Sequence, residues 1–497
     1  MDMVRNIPFF SIMLAMFSGP VCSVLPGKAA RVVNAAVITF IMGMSAVLVC
    51  ILNISGESFV YMMGHFPAPW GNEIRAGVLE AWMAMFFCVV MLLSVLGGIK
   101  KLFDEVVESK HNLYYVLVGL MLSSLLALVY TNDLFTAYVF VEINTISACG
   151  LIMIRENGRT IEAAVRYMVM SLIGSAMILL GICMLYDITG HLLMSNIKES
   201  VAAMTAGGNY PEPLLFTIAL MSVGLAIKCA LFPFHAWLPD AYGYSTVSSA
   251  AILSSLVSKG YIFLLIKIIY RVIGFEIYGD SGVIDVLFFF GLAGMIFGSV
   301  SAIRENDIRR MIAYSSVAQI GYIFMGIGMG TEFGMVASIF HMLSHASTKS
   351  LLFISAIGLT DVSDGSRRFE PLTGSAYRNK TAGLAFAVGS LSMVGVPLFS
   401  GFISKLLFAE AAVSLRYRMI PVLVVLGIST ILNAIYFMKT VIRIYTPVEN
   451  DSYPHVYLKD VPLYSVVLVA FVTLNVILGV LSDPIVELIR KGLAMFS

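Results

Sequence analysis

Charge is what this sequence has least of. Asp, Glu, Lys and Arg make up 12% of its 497 residues, and the formal net charge is +1. So even a balance gives no electrostatic case for nucleic acid or an acidic partner. Cysteine is scarce too: Cys22, Cys50, Cys88, Cys149, Cys183 and Cys229 stand singly in apolar surroundings, with no CxxC or comparable cluster. Iron–sulfur and structural zinc sites therefore lack sequence support, and core packing accounts for these residues. There is no Walker loop and no dinucleotide fingerprint, so a free-standing enzyme has no motif behind it. Long polar stretches are also missing. The widest gaps, near 54–75, 189–213, 359–381 and 446–462, are too short for a soluble domain.

What fills the sequence is apolar residue after apolar residue: 59% are hydrophobic and the mean hydropathy is +0.91. Runs of about 20 residues, enough to cross ~30 Å of hydrocarbon, recur from end to end. The pattern predicts an all-α polytopic membrane protein with about fourteen spans. They fall near 6–25, 31–53, 77–99, 112–130, 132–154, 165–188, 213–232 with a continuation, 246–271, 283–303, 308–329, 334–358, 381–414 with an internal break, 420–444 and 462–489. The first run is flanked only by Arg5 and has no small-residue cleavage site, so it reads as a retained helix rather than a signal peptide. With the N-terminus outside, Lys and Arg number 17 in inside loops against 9 in outside loops and ends, Lys267 and Arg271 being counted among the latter. That asymmetry predicts both termini outside.

Two segments are interrupted. Pro233 breaks KCALFPFHAWLP at 228–239, and Pro397 with two glycines breaks GVPLFSGFISK at 395–405. Broken helices in corresponding halves of a transporter point to internal repeats and a mid-membrane site. The breaks fall in segments seven and twelve, five apart, which suggests two five-helix units of inverted topology. The expected division is an N-terminal three-helix segment over 1–110, repeats over 111–275 and 276–445, and a C-terminal helix over 446–497.

Lys228, Lys259, Lys349, Lys405 and Glu142 all lie inside such runs. A charge near the bilayer centre costs roughly 2.5–3.5 kcal/mol on insertion scales, so such residues face polar interiors and carry function. Glu142, in YVFVEINTISACG, either hydrogen-bonds a neighbouring helix or titrates. Lys228 lies just ahead of the first break, where freed carbonyls can accept from an ammonium. A Glu142–Lys228 pair would be strongly coupled, which makes it a proton switch or a static salt bridge. Lys259, in SSAAILSSLVSKGYIF, is too deep to snorkel and sits among small residues that leave room for water. His341, His345 and Lys349 share one helix face in HMLSHASTK. The Glu of HExxH is missing, so a proton relay fits them better than zinc. Lys405 follows the second break as an exit group or a snorkelling one. His235, in FPFH, is a relay member or a cap on the break. No metal or cofactor is expected.

The sequences KCALFPFHAWLPDA, VSSAAILSSLVSKG, DIRRMIAYSSVAQIGYI, HMLSHASTKSLLF and GVPLFSGFISK resemble the antiporter-like membrane subunits of respiratory complex I. That family also takes in Mrp-type cation/proton antiporters and the membrane arms of energy-converting hydrogenases. The resemblance spans roughly 110–415. It implies that Glu142 and Lys228 form the regulatory pair of the entry half and Lys259 is the central lysine. His341, His345 and Lys349 would form the connecting polar axis, and Lys405 the terminal group. It further implies fourteen helices in two inverted five-helix repeats, and a bacterial or archaeal inner membrane. Other membrane subunits would be partners, together with an iron–sulfur, hydrogenase or NADH-linked peripheral arm, and the subunit would have no redox centre of its own.

Lys405 stands where one complex I subclass has glutamate. The chain ends soon after the fourteenth span, which argues against the largest subunit type and the very long Mrp A chain. Mrp D-type subunits and their hydrogenase relatives therefore resemble it best. YGYSTVSSA replaces the family's usual proline-rich turn before segment eight. The leading reading is a proton-translocating subunit of a redox-driven complex. An Mrp-type Na+/H+ antiporter subunit is the alternative, although one carboxylate is a thin ligand set for sodium. An organic-solute transporter would gather its polar groups in one pocket rather than along many helices.

Overall fold

In lipid a spanning backbone must satisfy its own hydrogen bonds, and for long apolar runs the helix does so. The computed structural model describes residues 2–66, 71–448 and 454–496. Its helices begin with α1 (Ile7–Val24), α2 (Gly27–Ser55), α3 (Val78–Gly97) and α4 (His111–Tyr130). Next come α5 (Leu134–Met153), α6 (Gly158–Thr189), α7 (Pro211–Lys228), the short α8 (Leu238–Tyr244) and α9 (Val247–Ile273). α10 (Val283–Arg304), α11 (Ile308–Gly328), α12 (Glu332–Asp361), α13 (Lys380–Val394) and α14 (Ser400–Val413) follow. α15 (Met419–Ile444), α16 (Pro462–Val480) and α17 (Ser482–Ala494) complete the series. A small antiparallel hairpin, Phe59–Met62 with Glu73–Ala76, joins α2 to α3.

Among the described residues, twelve helices are long and apolar enough to cross a membrane. Two of the fourteen expected segments fall outside that set for physical reasons. α12 has 30 residues, but its histidines, lysine and serines lower its hydropathy. The pair α13 and α14 is interrupted by Gly395 in the left-handed region, φ +93°, so neither piece spans alone.

Side-chain caps mark several starts. Asp133 accepts from Thr136 N at 2.6 Å, Asn157 from Thr160 N at 3.0 Å and Thr331 from Gly334 N at 3.1 Å. α9 is buried along its whole length, and α12 from Gly334 to Thr360. Peripheral helices instead expose large apolar residues: Phe40 on α2, Val165 on α6, and Ile431 and Ile442 on α15. Such a surface suits lipid, and it leaves the polar residues for the centre.

Lys267 and Arg271 do not lie in an outside loop, as the charge tally placed them. Both are buried in α9, whose last turn continues as a π-helix over Ile268–Ile273. Lys267 Nζ donates to Leu128 O at 3.2 Å, Val129 O at 3.0 Å and Thr131 O. Carbonyls at a helix C-terminus lack intrahelical partners, and α4 ends here. Arg271 Nη2 meets Glu80 Oε1 at 2.5 Å, with both side chains out of solvent.

Candidate functional site

The first cluster forms where α5, α6 and α7 meet. A Cβ on Gly174 would lie 2.8 Å from Gly224 O, so only glycine lets α6 and α7 approach this closely. That approach brings Lys228, the last residue of α7, against α5 and α6. Its Nζ lies 3.5 Å from Glu142 Oε1 and donates to Thr145 Oγ1 at 2.7 Å and Ser171 Oγ at 3.0 Å. Ser175 Oγ donates to the same carboxylate oxygen. The Lys228 side chain is fully buried, whereas Glu142 is 25% exposed, so the pair opens toward solvent or lipid on the glutamate side. The freed carbonyls of the break are not its acceptors; hydroxyls are. Tyr261 of α9 places its ring 5.7 Å from Lys228 Nζ and donates to Asn144 Oδ1 at 3.0 Å.

Lys259 follows a π-helical turn, Leu253–Val257. Such a turn loosens the regular ladder and often marks a functional position. Its Nζ takes Ser254 O at 2.5 Å and Ser258 Oγ at 3.4 Å. Cys229, the residue after Lys228, donates through Sγ to Ser258 O at 3.6 Å, which ties the two lysine positions together. The π-turn before Lys259 packs against α12, which carries His341, His345 and Lys349.

Those three residues share a face, as their spacing predicts. The rings of His341 and His345 stack with centroids 6.0 Å apart, and Tyr322 stacks on His341 at 5.4 Å. His341 Nδ1 bonds Ser404 Oγ of α14. Lys349 Nζ donates to Ile312 O at 2.9 Å and to Ser315 Oγ. Neither ring nitrogen of His345, nor Nε2 of Gln319, has a partner among the described residues. Buried polar groups are nearly always hydrogen-bonded, so this stretch of the core calls for water.

Lys405 turns inward. Its Nζ donates to Val394 O at 2.6 Å, a carbonyl released where α13 ends, and lies 5.9 Å from the Tyr322 ring. His235 stands apart: its ring stacks on Phe232 at 5.4 Å and its Nδ1 has no partner among the described residues. What caps α8 there is the His235 backbone carbonyl, which accepts from Leu238 N at 3.0 Å.

The sequence reading passed over the hydroxyls and amides that join these groups. Asn475 of α16 donates to Thr348 Oγ1 at 2.6 Å and accepts from Ser400 Oγ at 3.3 Å, while Ser344 donates to Ser400 at 2.8 Å. An amide in the middle of an apolar span was the available signal. It also missed an arginine clamp on α8. The C-terminal carbonyls of this short helix are taken by Arg309 (Tyr242 O, 3.2 Å), Arg367 (Gly243 O, 2.9 Å) and Arg155 (Tyr244 O, 3.0 Å). Asp240, in its first turn, accepts from Arg166 at 2.9 Å and from Arg310. Cations at the C-terminus and an acid at the N-terminus both suit the helix dipole. Burial holds the Arg155 guanidinium below its ordinary value, Glu105 opposes that shift and nearby Arg367 adds to it.

A family model described as "NADH:quinone oxidoreductase/Mrp antiporter, TM" matches residues 131–432. The NADH-quinone oxidoreductase subunit N of Desulforudis audaxviator is 33% identical over 394 residues, covering 79% of this chain and 76% of that one. A chain of the membrane-bound sulfane sulfur reductase, an archaeal respiratory membrane complex, superposes with a TM-score of 0.87 at 26% identity, covering 99% and 98% of the two chains. A chain of the Mrp complex from Dietzia sp. gives 0.87 at 23% identity, covering 99% and 97%, a likeness of fold.

Proposed function

The chain belongs to the NADH:quinone oxidoreductase/Mrp antiporter transmembrane family, and from that premise we propose that it moves protons along the buried axis just described. It does so as one membrane subunit of a multi-subunit, redox-driven complex in an inner cell membrane. Glu142 and Lys228 form the pair whose separation or approach sets proton affinity on the entry side. Lys259 receives the charge in the middle, and His345 and His341 carry it through water toward Lys349 and Lys405. His235 serves as a cap of the break rather than a relay.

The observation that carries this reading is the placement of His345. It lies one turn from Lys349 on α12, the helix that packs on the π-turn before Lys259, and both its ring nitrogens are unpartnered among the described residues. A neutral imidazole there can take a proton on one nitrogen and release one from the other. The interruptions at α7/α8 and α13/α14 support two inverted five-helix units over 111–275 and 276–445, and fourteen spans in all. The charge asymmetry of the loops supports both termini outside. The driving force comes from a peripheral redox arm.

Na+/H+ antiport is the second reading, favoured by one feature. Glu142, Thr145 and Ser171 offer three oxygens around a single point, with Ser175 bonded to the carboxylate, the kind of set a hard cation wants. Lys228 occupies that point, so sodium would have to displace its ammonium.

Lys259→Met in the assembled complex tests the proposal. Proton uptake by proteoliposomes should fall to background while assembly is retained. Lys259→Arg should fail as well, because a guanidinium does not give up its proton. Wild-type uptake in the Met variant would end the lysine-relay reading.

A further inference from the structure

A recess of about 730 Å3 opens at the ends of α6 and α11, lined by Arg155, Arg159, Arg367 and Arg368 with Tyr244 beside them. Two acids also reach it, and both are engaged. Glu162 Oε1 pairs with Arg166 at 2.6 Å, while Asp307 Oδ1 accepts from Arg309 N at 2.8 Å and Arg310 N at 3.1 Å. Arg367 gives one N–H to an α8 carbonyl, whereas Arg155 gives one to Tyr244 O and pairs through Nη2 with Glu105 at 3.5 Å. Arg159 lies over the Tyr244 ring at 5.5 Å. Arg159 and Arg368 have no ion pair or side-chain hydrogen bond among the described residues. Four guanidiniums thus line a space whose two acids are already committed, and two of the four, Arg159 and Arg368, have no polar side-chain partner among the described residues.

Guanidinium forks match phosphate oxygens in geometry and charge. The recess lies where spans begin: Asn157 caps α6 and Asp307 caps α11. That is the level of lipid headgroups, where basic pockets between span ends hold anionic lipids. From its edge an exposed apolar stripe, Ile161, Val165, Val169 and Leu172, descends along α6. A soluble phosphate would have no use for that stripe, whereas an acyl chain would.

We propose that this recess binds the phosphate headgroup of an anionic phospholipid, with an acyl chain along the α6 stripe. Arg155 and Arg159 come from the loop and helix of one half, and Arg367 and Arg368 from the segment after α12. The bound phosphate therefore ties the two halves together beside the clamped α8, whichever ion the axis carries.

The test is native mass spectrometry of the purified, delipidated complex titrated with phosphatidylglycerol or phosphatidylcholine. Wild type should retain phosphatidylglycerol in preference. An Arg159→Gln/Arg368→Gln variant, altered only at exposed side chains, should assemble normally and retain on the order of tenfold less, a difference of about 1.4 kcal/mol. Equal retention of the two lipids, or undiminished phosphatidylglycerol in the variant, would overturn the proposal. So would binding of inorganic phosphate as tight as that of the lipid, which would assign the recess to a soluble anion.

Discussion

A lysine held away from water needs an acceptor for its ammonium, and the four assigned to the axis find three kinds. Lys228 has a carboxylate and two hydroxyls, Lys259 and Lys349 each have a carbonyl and a hydroxyl, and Lys405 has the carbonyl of a broken helix. Of these four, only Lys228 has an ion pair among the described residues, so it is the one that moving or protonating an acid would switch. Glu142→Gln tests that directly. The amide keeps the shape and the contact with Ser175 but removes the charge 3.5 Å from Lys228. Proton translocation by the complex should fall on the order of tenfold, about 1.4 kcal/mol in barrier. Ser175→Ala, which keeps the charge, should retain most of the activity. Equal activity in Glu142→Gln and wild type would make the pair a static tie. The charged residues were legible because a lysine inside an apolar run is costly and rare. Their hydroxyl partners, Thr145, Ser171 and Ser315, were not, because serine and threonine also bond their own helix turn and so carry little signal alone. Lys267 and Arg271 were misplaced because Glu80 and the α4 carbonyls, which let them stay buried, come from distant sequence.

Elements, unlike partners, announce themselves when a residue forbids regular structure. Pro233 and the Gly395–Pro397 stretch located both breaks. The π-turn ahead of Lys259 did not announce itself, since its residues are ordinary helix residues and only packing selects the wider turn. Nor did the clamp on α8, whose arginines come from α6, α11 and two loops. If that clamp fixes the broken segment, its members should act as one unit. Asp240→Asn weakens two charge-assisted hydrogen bonds, each worth about 1.5–3 kcal/mol. Hydrogen exchange of residues 238–245 should then quicken on the order of tenfold or more, and proton translocation should fall with it. Adding Arg310→Gln should cost little beyond the single change, as expected for groups in one network. Unchanged exchange in Asp240→Asn would show that α8 is held by its packing and not by the clamp.

At the scale of the whole molecule, the polar axis crosses from α5 through α7, α9 and α12 to α14, so its two ends lie in different halves of the chain. Cys229, next to Lys228, bonds Ser258 O beside Lys259, and the π-turn before Lys259 packs on α12, which carries the histidines and Lys349. An axis of this kind transmits a push without specifying its origin. What supplies the push decides between the two readings of function. A redox arm docked at one end would shift the first pair electrostatically, and sodium would then be irrelevant. A sodium gradient would instead require the cation to enter the Glu142–Thr145–Ser171 oxygen cluster and displace Lys228 from it. Purification of the native complex in mild detergent, with its subunits identified by mass spectrometry, should return iron–sulfur or other redox subunits. Proton translocation should then stay within about twofold when choline replaces sodium, a change worth less than about 0.5 kcal/mol. A complex composed only of membrane subunits, with translocation that disappears without sodium, would instead assign the oxygen cluster to the cation. Ser171→Ala should in that case raise the sodium requirement while leaving the Lys259 step intact.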